Sequence, residues 1–152
     1  MSKEKKSLTV MQYDRSVINV QLNELIKQSI RRFCEMITRI EAIYFLKKHQ
    51  PMPKDDELKE EEIQKYEEVR KFFIDNPDEC CIPLFLNSFG GKDGLGLYQM
   101  IEDVILMYDV EKVLPYVIQS LDSPYDGVKY WVSQIASNFP DDSLFDPLSN
   151  LL

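Results

Sequence analysis

The sequence predicts an all-α fold: a short α-solenoid of about three helical hairpins behind an amino-terminal helical cap. Three observations carry that reading. No segment alternates apolar and polar residues between tight turns, as a half-buried strand would. Apolar residues recur instead at steps of three and four, which places them on one face of a helix. The second half of the chain also repeats itself with a period just above thirty residues, the mark of stacked helical hairpins.

Residues 16–48 come first. Leu22, Leu25, Ile26, Ser29, Phe33, Met36, Ile37, Ile40, Ile43 and Tyr44 define one face, and Glu24, Lys27, Arg31, Arg32, Glu35 and Arg39 the other. No Gly or Pro interrupts the segment, so it reads as one long helix, or two with a break near Asn23, covering the apolar face of the first hairpin. Pro51 and Pro53 end it. Gln50 to Asp56 reads as an exposed connector, with Asp55 or Asp56 capping the next helix and the acidic run up to Glu62 at its positive end.

The repeat follows. Cys81-Ile-Pro-Leu-Phe-Leu-Asn-Ser-Phe89 matches Val113-Leu-Pro-Tyr-Val-Ile-Gln-Ser-Leu121 at an offset of 32, each position identical or chemically similar. Val69, Phe72 and Phe73 align with Ile101, Val104 and Ile105 at the same offset. A third copy at an offset of 31 pairs Leu97, Ile101, Val104, Ile105, Val113 and Val117 with Val128, Val132, Ile135, Ala136, Leu144 and Leu148, and Gly96 with Gly127. First helices are expected near 63–75, 96–108 and 126–138, and second helices near 79–89, 110–121 and 142–152. Asp78, Asp109 and Asp141 lie in the turns within the hairpins, where they can accept from the orphan amides of the second helices. The segments 90–94 and 122–126 turn the chain between hairpins. The predicted organisation is a single domain over 1–152: a helical cap (1–50), a connector (51–62) and three hairpin repeats (63–152).

A chain of 152 residues suits one domain, and 44% hydrophobic residues can build a core. The net charge of −8 argues against nucleic acid, which wants a basic face. It is unevenly spread: residues 1–54 carry 11 basic and 5 acidic side chains, while residues 55–152 carry 7 and 21. A basic arm on an acidic body means either that the two parts attract each other or that they serve different partners. One His and three Cys without a repeated spacing argue against metal and triad chemistry, and no cofactor motif appears. No apolar core of a signal peptide occurs near Leu8, Val10 and Met11, and no stretch approaches a membrane span, so the expectation is a cytoplasmic protein with reduced Cys34, Cys80 and Cys81.

Leu114-Pro-Tyr-Val-Ile-Gln-Ser-Leu-Asp-Ser-Pro124, then Val128-Lys-Tyr-Trp-Val-Ser-Gln-Ile-Ala136, then Asp141-Asp-Ser-Leu-Phe-Asp-Pro-Leu148 together resemble the HEAT-repeat family. The likeness is best over 110–152, fair over 79–109 and weak before that. The repeats here are shorter than the family's, and Tyr130 and Trp131 stand where small residues are common. The resemblance implies a protein-binding scaffold whose second helices line the inner face, which would turn Glu79, Asn87, Glu111, Gln119, Asp142 and Asp146 towards a partner, with Tyr116 beside them. Small HEAT-like proteins occur among bacterial immunity proteins. The reading this favours is a non-enzymatic immunity-type inhibitor that neutralises a basic toxin domain by direct binding. A regulatory adaptor or assembly factor is the alternative within that class. An enzyme with a carboxylate-based site on the inner repeat face is the alternative of another class.

Several residues have two readings. Tyr125, Tyr130 and Trp131 cluster beside Asp122 and Asp126, and aromatics among carboxylates suit a protein hot spot. Trp131 equally fits core packing, at the edge of the stripe formed by Val128, Val132 and Ile135. The acidic body is either a rim that speeds encounter with a basic partner or a solvated face. Gly90-Gly-Lys-Asp-Gly94 has the look of a phosphate loop, but Lys92 is followed by Asp93 and preceded by a helix, so it reads as a flexible turn. His49 reads as a helix-end residue meeting the last carbonyls, and Cys81, aligned with Val113, as a small core side chain. Leu148, Leu151 and Leu152 either pack under the last hairpin or meet a second copy, giving a monomer or a weak homodimer.

Overall fold

The computed structural model describes residues 15–151, with the backbone alone at residues 15, 16 and 31–35. The polar start with Leu8, Val10 and Met11, the side chains of Phe33 and Cys34, and Leu152 lie outside the described residues. Among the described residues there are eight α-helices and no strand, so the all-α prediction is met: α1 (Arg15–Glu35), α2 (Arg39–Lys48), α3 (Glu60–Asp75), α4 (Cys81–Leu86), α5 (Leu97–Ile105), α6 (Val110–Leu121), α7 (Asp126–Ala136) and α8 (Phe145–Ser149). Single 3-10 turns at Gly94–Gly96 and Asp142–Leu144 lead into α5 and α8. The chain divides after Met36 into two compact units.

The first unit contributes α1. Its apolar side chains Val17, Ile18, Val20, Leu22, Leu25, Ile26 and Ile30 are all exposed, between 38% and 62%. The expected helix, unbroken or broken near Asn23, is corrected in where it breaks. The break falls at 36–38, where Thr38 accepts from the Glu41 amide while the Glu41 carboxylate accepts from the Thr38 amide at 2.8 Å. This reciprocal cap satisfies two orphan amides and starts α2 afresh. The restart resets the helical phase. Ile40 and Tyr44, expected on the buried face, are exposed, and α2 instead buries Ala42, Phe45 and Leu46. His49 closes α2 as expected, its Nδ1 and its backbone amide both meeting the Phe45 carbonyl.

In the second unit α2 packs on α3 and α4, α3 on α5, α4 on α5 and α6, and α6 on α7 and α8. Of the residues aligned by the sequence offsets, Val69, Ile101 and Val132 are fully buried, as are Cys81 and Val113, with Leu144 at 4%, whereas Phe72 and Leu148 are only partly buried where Val104 and Val117 are fully so. Phe73 meets Phe85 edge to face at 5.9 Å, joining α3 to α4. Asp78 and Asp141 accept from the amides of Cys80 and Ser143, as expected of the turn aspartates, whereas the Asp109 side chain makes no such bond.

The connector is not exposed as the sequence suggests. Met52 is 3% and Leu58 9% exposed, and the Met52 amide donates to the Ser88 carbonyl at 2.9 Å. Nor does Asp55 or Asp56 cap α3. Lys59 holds that position, its amide donating to Glu62, and Asp55 is drawn off to accept from the Gly94 amide at 3.1 Å. Met52, between the two prolines, and Leu58, just before α3, favour this inward turn, since each gains by leaving water.

Candidate surface around Tyr130 and Trp131

Helix α7 starts at Asp126, whose carboxylate sits in the favourable first turn and pairs with Lys129 at 3.2 Å. Residues four apart share a helix face, so Tyr130 rises above Asp126 and Trp131 above Gly127. Tyr130 is 61% exposed and Trp131 is half-buried. The indole stacks on Phe89 at 5.8 Å between centroids and takes the edge of Tyr98 at 5.3 Å. Its Nε1–H donates to the Lys92 carbonyl at 2.7 Å. Phe89 and Tyr98 are fully buried and meet edge to face. The inner part of Trp131 packs on the core, as one of its readings expects, and the residue also lines a cleft. Tyr130 stands against it at 89° and 5.9 Å, forming an aromatic corner.

The turn at 90–96 is held by hydrogen bonds at several points. The Gly90 amide donates to the Tyr98 hydroxyl at 2.8 Å. Gly90 and Gly127 approach so closely that a Cβ on Gly127 would collide with the Gly90 carbonyl, and one on Gly90 with the Met52 carbonyl. Lys92 and Leu95 hold positive φ angles of 62° and 55°, a conformation costly to residues with a Cβ. The hydrogen bonds around the turn, including the Asp93 carboxylate accepting from the Leu95 amide, hold them there.

Three open clefts adjoin along this face. One of about 520 Å³ is lined by Gly90, Lys92, Asp93, Asp126, Gly127, Tyr130 and Trp131. The next, about 370 Å³, shares Asp126 and Tyr130 with it and adds Lys129, Ser133, Asn150 and Leu151. The third, about 550 Å³, shares Lys129, Asn150 and Leu151 and extends to Gln119 and Asp122. Of the residues singled out in the sequence, this surface brings together Gln119, Asp122, Asp126, Tyr130 and Trp131. Tyr125, 52% exposed, precedes α7 but lines none of these clefts.

The rest lie elsewhere. Glu79 pairs with Lys112 at 2.6 Å beside the starts of α4 and α6, Glu111 is exposed on α6, and Tyr116 packs part-buried against the core. Asp142 lines a further cleft of about 700 Å³ with Phe145, and Asp146 is exposed on α8. Lys92, Asp93, Gly127 and Lys129 were not anticipated. The Gly-Gly-Lys-Asp-Gly segment reads in sequence only as a turn, and Gly127 only as the equivalent of Gly96. That Gly90 and Gly127 fit each other is a long-range fact with no local signature.

Hydrogen bonding and burial shift several ionisable groups, Tyr66 and Tyr108 upward by burial among them. Asp78 is held down at about 2, first by the Arg39 hydrogen bond at 2.5 Å and then by Cys80. A carboxylate so acidic is a poor proton acceptor and a good ion-pair partner. Burial pushes the Cys80 thiol up to about 11 and the Cys81 thiol up to about 12, so neither supplies a thiolate at neutral pH. Among the described residues no cluster of His, Cys, Asp and Glu could hold a metal ion, and no helix is long and apolar enough to cross a membrane. No family model matches the chain, and neither does any curated protein or solved structure.

Proposed function

We propose that the chain is a non-enzymatic protein-binding module, its hairpins stacked as a short HEAT-like solenoid, and that it neutralises a basic toxin domain by covering it, as an immunity protein does. The observation that carries this is the adjoining run of clefts on α7, where an exposed tyrosine and a fixed tryptophan stand among carboxylates. Rigid aromatic anchors in a polar rim are the usual makings of a binding hot spot, because large rings give contact area at little entropic cost. The charge pattern agrees: residues 55–152 carry three acidic side chains for every basic one, which favours encounter with a cationic surface. In this reading the protein works in the cytoplasm as a monomer or weak homodimer.

Co-expression with the product of the adjacent gene tests it. The expected result is a co-purifying complex and relief of that product's toxicity. The double variant Tyr130→Ala, Asp126→Lys should lose both while staying folded, its thermal midpoint lowered by no more than about 6 °C for the lost first-turn charge, ion pair and ring contact. Absence of a complex together with unrelieved toxicity defeats the immunity reading.

A further inference from the structure

We propose that the cleft at Trp131 and Tyr130 is a receptor for one arginine side chain of the partner, its guanidinium lying in the aromatic corner between the carboxylates of Asp93 and Asp126. The proposal rests on the reading of the chain as a protein-binding module and says what chemistry that surface recognises.

Two aromatic rings at 89°, 5.9 Å apart, present a corner of π-electron density. Such faces attract a cation through the ring quadrupole, most strongly at tryptophan. The carboxylates of Asp93 and Asp126 line the same cleft and supply the counter-charge. A volume of about 520 Å³ is of the order expected for a small-ligand site. The indole is already fixed by Phe89, Tyr98 and the Lys92 carbonyl, so binding a cation orders little that is not ordered already.

Arginine fits better than lysine for two reasons. Its guanidinium is planar and stacks on aromatic faces, and it is less strongly hydrated than an ammonium. Its forked donors can also reach two acceptors at once, which a corner flanked by two carboxylates offers. Two cations of the chain bear on the site with the opposite sign. Lys92 lines the cleft, and Lys129 pairs with Asp126 from the next turn of α7. An arriving guanidinium competes with both for the carboxylates. Removing the Lys92 charge should therefore strengthen binding rather than weaken it, which a merely structural role for the cleft does not predict.

Trp131 is the only tryptophan in the chain, so its emission reports this cleft alone. The full chain is titrated with acetyl-Gly-Arg-Gly-amide, with the citrulline peptide as a neutral look-alike and the lysine peptide as the other cation. The expected result is a saturable change in emission with the arginine peptide, weakened by salt, and none with citrulline. Tyr130→Ala should weaken binding by about 3- to 30-fold, the range of a cation–π contact. Asp93→Asn with Asp126→Asn should weaken it as well, the asparagine at 93 keeping the acceptor for the Leu95 amide, and Lys92→Ala should tighten it about 2- to 5-fold. An equal response to citrulline, or none to arginine, overturns the proposal; an equal response to lysine overturns the arginine assignment. Should Tyr130→Ala unfold the protein, the sign of the Lys92→Ala effect still decides. A complex with the adjacent gene product that survives loss of peptide binding would leave the module reading standing without this site, and peptide binding without such a complex would do the reverse.

Discussion

Helices α1 and α7 carry apolar residues at the same spacing, and water treats them in opposite ways. In α7, Val128, Val132 and Ile135 are fully buried; in α1, Leu22, Leu25, Ile26 and Ile30 are each about half exposed. The α7 stripe has its partners within its own unit. The α7 stripe meets α6, and the glycine pair brings the turn before α5 against its first turn. The stripe of α1 ends at a capped break, after which α2 starts on a new phase and buries a different face. Helical periodicity therefore specifies a helix with an apolar side, while burial depends on a partner that periodicity does not name.

Substitutions can break or sharpen this contrast. The largest effect is expected in the second unit: Phe85→Ala, fully buried against Phe73, should cost about 3–5 kcal/mol in denaturant unfolding. Gly127→Ala comes next, at about 1–3 kcal/mol, because the new Cβ meets the Gly90 backbone, which cannot swing aside as a side chain could. The sign is the informative part, since at an unhindered helix position the same change stabilises. Thr38→Ala should cost about 0.5–2 kcal/mol by removing the cap that restarts α2, with a matching fall in thermal midpoint.

A smaller effect follows from the Arg39–Asp78 pair. Its folded-state carboxyl lies near 2 against 3.8 for the free group, so its stabilising contribution is present above pH 3.8 and is lost as pH falls towards 2. Asp78→Asn should flatten the stability profile across that window and leave the profile above pH 5 parallel to the parent's. Smallest of all, Leu25→Ala should change stability by less than about 0.5 kcal/mol. A loss above about 1.5 kcal/mol there would mean that α1 has a covering partner in solution, and the contrast with α7 would disappear.

Some buried positions of the second unit were legible because their sequence pattern recurs: once Val69, Ile101 and Val132 are aligned, each predicts the others. The break at 36–38, expected near Asn23, does have a local signature in Thr38-Arg-Ile-Glu41, a capping-box pattern inside a long run without Gly or Pro. What escaped was pairwise complementarity. Met52 looked like part of a proline-rich connector because nothing local announces that the Ser88 carbonyl awaits its amide. Asp55 looked like a helix cap for the same reason, and Gly127 like a copy of Gly96. For the candidate surface, Tyr130 and Asp126 could be found as neighbours in sequence, whereas Lys92 and Asp93 enter only because Trp131 reaches back to the Lys92 carbonyl.

The pinned turn has a consequence for how the protein opens. A row of hairpins that touch only their neighbours frays from its ends, each unit exchanging its amides with its own free energy. Here the connector fastens to Ser88 and Gly94, α5 holds Gly90 through Tyr98, and α7 holds the same turn through Gly127 and Trp131. One short loop thus acts as a common clasp for segments drawn from across the second unit. Hydrogen exchange at the amides of Met52, Gly90 and Gly94 is therefore expected to follow one opening reaction, with the helices of the second unit melting together rather than in sequence.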